Sequence, residues 1–245
     1  MRTYSCPEIP IRSYVFRTEL HSHTKPASHC SDIVPARLVE VYSSLGYDAV
    51  VLTNHIRPSY TREDCLRHAE DYREAVSAAS RTALTILFGV EMTFEDLWGD
   101  YLIYGVMPDD MEMLYFYCHK GYKAFASSPL RRRTVVFTAH PYRNNRIGED
   151  LHIPEVADGA ESINLHPWVN SENGFMTRTA WRENLLTICG SDYHHETTEG
   201  MTAILSKELP KTETDLRDLL RSGDYLFEVN GNIIIPSHRM IKNNA

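Results

Sequence analysis

The chain has 245 residues, 42% apolar and 24% charged, the composition of a globular protein able to bury a core without staples. Its 25 basic and 33 acidic side chains leave a net charge of -8, which counts against a nucleic-acid polymer or an anionic membrane as partner. A small anionic substrate is still allowed, because bound cations reverse the charge locally.

The length suits one α/β barrel, so two domains are not required. The basic run Arg131-Arg132-Arg133 is too short to line a groove and reads as a solvated helix end or loop. Cysteines at 6, 30, 65, 118 and 189 are odd in number and form no C-x-x-C pair, which argues against a disulfide framework and for a reducing compartment. MRTYSCPEIP at the N-terminus lacks a basic stretch followed by an apolar one, and no apolar run reaches membrane-spanning length. The cytoplasm is the expected location. Nothing in the sequence speaks to oligomeric state.

In chain order, strands are expected at Tyr14–Leu20, Ala49–Thr53, Leu84–Val90, Tyr101–Val106, Thr134–Ala139, Gly159–Asn164, Leu185–Cys189 and Tyr225–Val229. AVVLT, VVFTA and LTICG are continuous apolar or β-branched runs, as strands buried on both faces should be. Between strands one and two, Asp32 can cap a helix that has Pro35 in its first turn and Leu38, Val39, Tyr42 and Leu45 on one face. Thr61 with Asp64 forms a capping-box pattern ahead of Cys65, Ala69, Tyr72, Val76 and Ala79 at helical spacing. Met111–Ala126 and Glu213–Arg221 are further helices. Strand-then-helix alternation implies a parallel sheet flanked by helices, with a closed barrel favoured over an open doubly wound sheet. No Gly-rich nucleotide cradle follows any strand.

The residues suited to bind metal gather at the C-terminal ends of these strands, the face on which α/β barrels build active sites. His21 and His23 follow the first strand, and residues two apart in extended chain share a face, so both imidazoles can reach one ion. His55 follows the second strand. Glu91 ends the third, where a carboxylate is costly to bury without a cation. His140 follows the fifth, and Asp192 and His194 follow the seventh. Arg143, three residues beyond His140, could hold a phosphate oxygen bidentately or lie on the surface. His29 taken singly reads as a solvated loop histidine, and His152, His166 and His195 could be further metal or substrate contacts or lie on the surface.

Together these residues resemble the motifs of the PHP (polymerase and histidinol phosphatase) family of metallo-hydrolases. ELHSHT at 19–24, LTNH at 52–55, GVE at 89–91, TAHP at 138–141 and GSDYH at 190–194 stand in the family's order over about residues 15–200. ADGAESIN at 157–164 resembles the strand before the last motif, with Asn173 placed like a family asparagine. The resemblance implies a single domain over 1–245, a distorted (β/α)7 barrel, and two or three divalent ions. Carried over, His21, His23, Glu91 and Asp192 would hold one ion. Glu91 and His140 would hold a second, and His29, His55 and His194 a third. The chain departs from the family at Glu19, at Asn54 and at Asp100, where an aspartate, an aspartate and a histidine are usual; Asn54 is expected to orient rather than ligate.

Histidine with carboxylate suits zinc, manganese or iron alike. The expected chemistry is phosphate-ester hydrolysis by a hydroxide bridging two ions. Arg143 would neutralise phosphoryl charge, and either His194 or a metal-bound water could protonate the leaving group. A small phosphomonoester is the expected substrate, and phosphate or sulfate should bind at the metals. The rivals are a metal-dependent amidohydrolase acting on C–N bonds, a DNA 3′-end exonuclease, and a metal-binding module without activity. Against the first, none of the six lysines sits at a predicted strand end, where such enzymes often need one for carboxylation.

Overall fold

The computed structural model describes residues 9–143, 157–166, 173–196 and 202–240. The apolar runs form strands near where their patterning places them: β1 (Phe16–Ser22), β2 (Ala49–Leu52), a short β3 (His55–Ile56), β4 (Thr85–Thr93), β5 (Asp100–Tyr104), β6 (Val135–Thr138), β7 (Gly159–Asn164) and β8 (Leu186–Gly190). Three more follow, β9 (Thr202–Ser206), β10 (Leu226–Val229) and β11 (Asn232–Ile234). The helices are α1 (Pro35–Ser44), α2 (Arg62–Ala79), α3 (Met111–Lys120), α4 (Tyr122–Ala126), α5 (Pro129–Arg132), α6 (Asn173–Glu183) and α7 (Glu213–Ser222).

The strands order as β11-β10-β9-β1-β2-β4-β5-β6-β7-β8, with β3 paired to β4. The sheet is mixed, where alternation alone predicted a parallel one. β5 runs antiparallel to β4 and β6, because the link over 94–99 is far too short for the crossover that a parallel neighbour needs. β9 and β10 are antiparallel as well. Beyond β8 the chain returns to β1. The His23 amide donates to the Tyr193 carbonyl at 2.9 Å and the Tyr193 amide to the His21 carbonyl at 3.2 Å. The sheet thereby curls, and the loops after β1 and β8 meet at one end.

Leu20, Val51, Leu87, Leu102, Phe137 and Ile188 from six strands form one buried cluster with Leu216 and Leu220 of α7. Each side chain of this kind contributes about 1.5–3 kcal/mol when fully buried, so this cluster holds the rim on a rigid base. α7 starts at a capping box of Thr212 and Asp215, and α2 at the expected box of Thr61 and Asp64. Asp32 does not cap α1. Val34 takes that place without a side-chain bond, and Asp32 pairs with His195 at 3.0 Å. The helix expected over 111–126 breaks at Gly121, whose φ of 84° suits glycine and where a Cβ would strike the Asp96 carboxylate. Arg131 ends α5 as expected but pairs with Asp158, and Arg133 pairs with Asp110. Among the described residues the cysteines are free, and no helix is long and apolar enough to cross a membrane.

Candidate metal centre

β1 carries His21 inward and the chain just past it carries His23; both are fully buried. Ser22 between them turns away and donates to the Val51 carbonyl at 2.7 Å. Glu91, inside β4 rather than at its end, and Asp192, past β8, complete the group. His21 Nε2 lies 3.5 Å from Glu91 Oε2 and 3.3 Å from Asp192 Oδ1; His23 Nε2 lies 3.3 Å from each of those oxygens. All four atoms are buried and none makes a well-aligned hydrogen bond, although Glu91 Oε2 also lies 2.8 Å from His55 Nδ1 and Asp192 Oδ1 3.3 Å from His194 Nδ1. Orphaned groups of this kind cost of the order of 1–3 kcal/mol each. Ligand atoms about 2.05 Å from a tetrahedral ion stand about 3.3 Å apart. The four atoms therefore fit a single divalent cation.

The second carboxylate oxygen of Glu91 serves a neighbouring position. His140 Nε2 is 2.9 Å from Glu91 Oε1, and Asp100 Oδ2 is 4.0 Å from the same nitrogen. His21, Glu91 and His140 form a second potential ligand group. Asp100 thus faces this position where the family has histidine. Arg143 comes within 3.4 Å of His140 Nε2.

A third group joins His23, His55 and His194. His29, expected here, is not part of it. Its side chain is 54% exposed and pairs with Asp64 at 3.4 Å while stacking on Tyr60. The next residue, Cys30, stands exposed at the edge of this group, and His55 and His194 draw its thiol pKa down to about 5 against the effect of burial. His166 also enters the site, with Asp192 and His194. His152 lies outside the described residues.

The supports are built from elsewhere in the chain. Glu161 on β7 receives His21 Nδ1 at 2.9 Å on one oxygen and the His140 amide at 2.8 Å on the other. It thus fixes which nitrogen of His21 faces the centre. Glu19 accepts the amides of Leu20, His21 and Ser191, tying β1 to the Asp192 loop. Burial raises its pKa to about 7 against those bonds. Asn54 orients, as expected: its oxygen accepts the Thr24 amide and the Ser28 hydroxyl. Ser28 in turn contacts His23 Nδ1 at 3.2 Å. Asn173 brackets Asn164, accepting its amide and donating to its carbonyl. Two presumptive ligands carry positive φ, 27° at His140 and 53° at Asp192. Strain of this sort persists only where the surroundings impose it.

Gly190 shows how tightly these supports pack. A Cβ there would lie 2.3 Å from Glu161 Oε1 and 2.5 Å from His21 Cβ. Gly190→Ala is expected to lose about 1–3 kcal/mol of stability and to bind metal more weakly, because His21 must move. Thermal unfolding and metal analysis check this; an unchanged protein on both would contradict the packing described.

Electrostatics follow the geometry. Burial works to raise the pKa values of Glu91 and Asp192, but the surrounding histidines outweigh it and hold both well below the usual carboxylate range. Burial and the charges of His194 and His55 keep His23 well below the usual imidazole value. The two carboxylates and His23 are thus in the forms that ligate cations, whereas the neighbouring carboxylates outweigh burial and raise the pKa values of His21, His55 and His140.

Sequence reasoning missed Glu161, Cys30 and Arg57. Glu161 carried the signal used for Glu91, a carboxylate inside a buried strand. Arg57 stands two residues past His55 in extended chain, hence on its face.

No family model matches the chain, and no curated protein matches it in sequence. Solved structures share its fold. A two-domain protein from Bacteroides vulgatus ATCC 8482, containing a predicted PHP-like metal-dependent phosphoesterase, is 17% identical with a TM-score of 0.64, over 94% of this chain and 68% of that one. PsfC from Pseudomonas syringae PB-5123 is 13% identical with a TM-score of 0.58, over 82% of this chain and 87% of its own. An amidohydrolase from Chromobacterium violaceum, with bound sulfate and no metal, is 15% identical with a TM-score of 0.50, over 89% of this chain and 98% of its own. The chain has the mixed α/β fold with a curled sheet that these proteins share. It resembles the PHP family in fold as well as in the order of its motifs.

Proposed function

We propose that the protein is a PHP-type metal-dependent phosphoesterase that hydrolyses a small phosphomonoester. We read the chain as one distorted (β/α)7 barrel domain. The observation that carries the reading is the convergence of four buried atoms of His21, His23, Glu91 and Asp192, none in a well-aligned hydrogen bond, with each imidazole nitrogen 3.3–3.5 Å from both carboxylate oxygens. Those residues would hold one zinc, manganese or iron ion, and Glu91 with His140 and Asp100 would hold another. Divalent ions at such positions supply a nucleophilic water at neutral pH and offset charge on phosphoryl oxygens.

The chain's own residues do the rest. Glu161 and Glu19 hold the His21 imidazole and backbone so that Nε2 faces the centre. Arg143, beside His140, offers its guanidinium to a phosphoryl oxygen, where two parallel donors match the anion. His194, seated between Asp192 and Cys30, is the group assigned to pass a proton to the leaving oxygen. The likeness of fold to an amidohydrolase keeps C–N hydrolysis as the second reading. Lys207 follows β9, a strand the sequence did not predict, but it is engaged by Asp224 at 2.7 Å rather than offered to the centre.

The test is a phosphatase screen over p-nitrophenyl phosphate and small phosphorylated metabolites, with manganese or zinc added, beside the variant His23→Ala. Turnover by the parent protein is expected, with metal content and activity both lost in the variant. Full metal and activity in His23→Ala would end the site assignment. A metal-loaded parent inert on every phosphate ester would favour the amidohydrolase or the inactive module.

A further inference from the structure

The third cation position does not fit an ion as the first two do. Four observations bear on it. His29, the residue expected to complete it, points to Asp64 and Tyr60. Both nitrogens of His55 are engaged: Nδ1 meets Glu91 Oε2 at 2.8 Å, and the Arg57 guanidinium lies 3.1 Å from Nδ1 and 2.9 Å from Nε2. Arg57 Nε is buried without a partner. The charges acting on that guanidinium are those of Asp100, Glu91 and Cys30, residues that line the second and third positions.

We infer that Arg57 takes the place of the third cation, so that the centre holds at most two divalent ions and a fixed guanidinium supplies the remaining positive charge. The physical case is one of competition. A single guanidinium nitrogen, Arg57 Nη2, lies against the His55 ring within 3.1 Å of both its nitrogens, so an ion ligated by this ring would have the guanidinium beside it. A guanidinium cannot be deprotonated in a protein, so a dication entering beside it meets a permanent like charge. Arg143 does not act in the same way at the second position. It reaches His140 at 3.4 Å only, and two carboxylates, Glu91 and Asp100, face that position and favour an ion. With no ion at the third position, His194 keeps its ring for proton transfer.

The inference rests on the metal-centre reading above, and the experiment separates the two. Zinc bound at saturation is counted by equilibrium dialysis and elemental analysis on the parent, Arg57→Met and Arg57→Lys. The parent and the lysine variant are expected to saturate at no more than two equivalents, and the methionine variant to take up one more. Cobalt gives a second readout. Arg57→Met should gain a thiolate-to-cobalt charge-transfer band in the near ultraviolet, absent from the parent and lost again when Cys30→Ser is added. Three equivalents in the parent, or equal numbers in the parent and Arg57→Met, would overturn the inference and leave the metal centre standing. A parent that binds no zinc would remove both. The stoichiometry needs no substrate, so failure of the phosphatase screen leaves it intact.

Discussion

Glu91→Gln is expected to strip most of the bound metal and to lower phosphate-ester turnover on the order of a thousandfold, with the fold retained. That loss corresponds to about 4 kcal/mol of transition-state stabilisation. The size follows from how many partners share this one carboxylate. Oε2 stands against His21, His23 and His55, and Oε1 against His140. Replacing one oxygen with an amide nitrogen removes a negative charge and turns an acceptor into a donor. Whichever way the amide is oriented, at least one cation position loses its anionic ligand. The histidines then lose the one carboxylate that all four face, with Asp192 and Glu161 left beside His21, and their mutual repulsion rises. Metal content by elemental analysis, activity on p-nitrophenyl phosphate and far-ultraviolet circular dichroism check the three parts separately. A folded Glu91→Gln protein with full metal content would show that the cations sit elsewhere.

The same carboxylate shows what could be read from the chain alone. A glutamate inside FGVE is conspicuous because burying it is costly without a cation, and His21 and His23 are conspicuous because period-two spacing puts them on one face. These are local rules, and they picked out residues that the fold brings together. The third group depended on which of two adjacent exposed residues, His29 or Cys30, stands beside His55 and His194. That choice lies in the backbone of the loop over 24–31, which is held by Asn54 and by Asp71 on α2. Residues so distant in sequence impose no pattern on the loop itself. Arg57 was hidden differently: its spacing from His55 is legible, but a basic residue among expected cations does not read as part of a metal centre. The mixed sheet was missed because alternation of strand and helix does not report strand direction, whereas the short link over 94–99 does. β11 has three residues, all exposed, too few for a strand pattern to register; β9, TAILS, is buried along its length and was simply passed over.

His68 is expected to set much of the protein's acid sensitivity. It sits on α2, fully buried, with its ring stacked on Phe88 at 4.4 Å. Burial lowers its pKa from 6.5 to about 3. The direction of the effect follows from linkage. Above pH 6.5 the ring is neutral in folded and unfolded chains alike, and its contribution is complete. As pH falls below 6.5 the unfolded chain takes up a proton that the folded chain refuses until about pH 3, so stability drains away across that window. At pH 4 the loss amounts to about 3 kcal/mol. His68→Leu, of similar size and without a titrating group, should match or exceed the parent at pH 7 and exceed it by about that much at pH 4. Urea unfolding of metal-free protein at both values measures the difference, since chelation leaves the histidines of the centre titrating equally in the two proteins. Parallel acid limbs for parent and variant would mean that the centre, with its own crowded histidines and carboxylates, rather than the ring behind it, governs unfolding in acid.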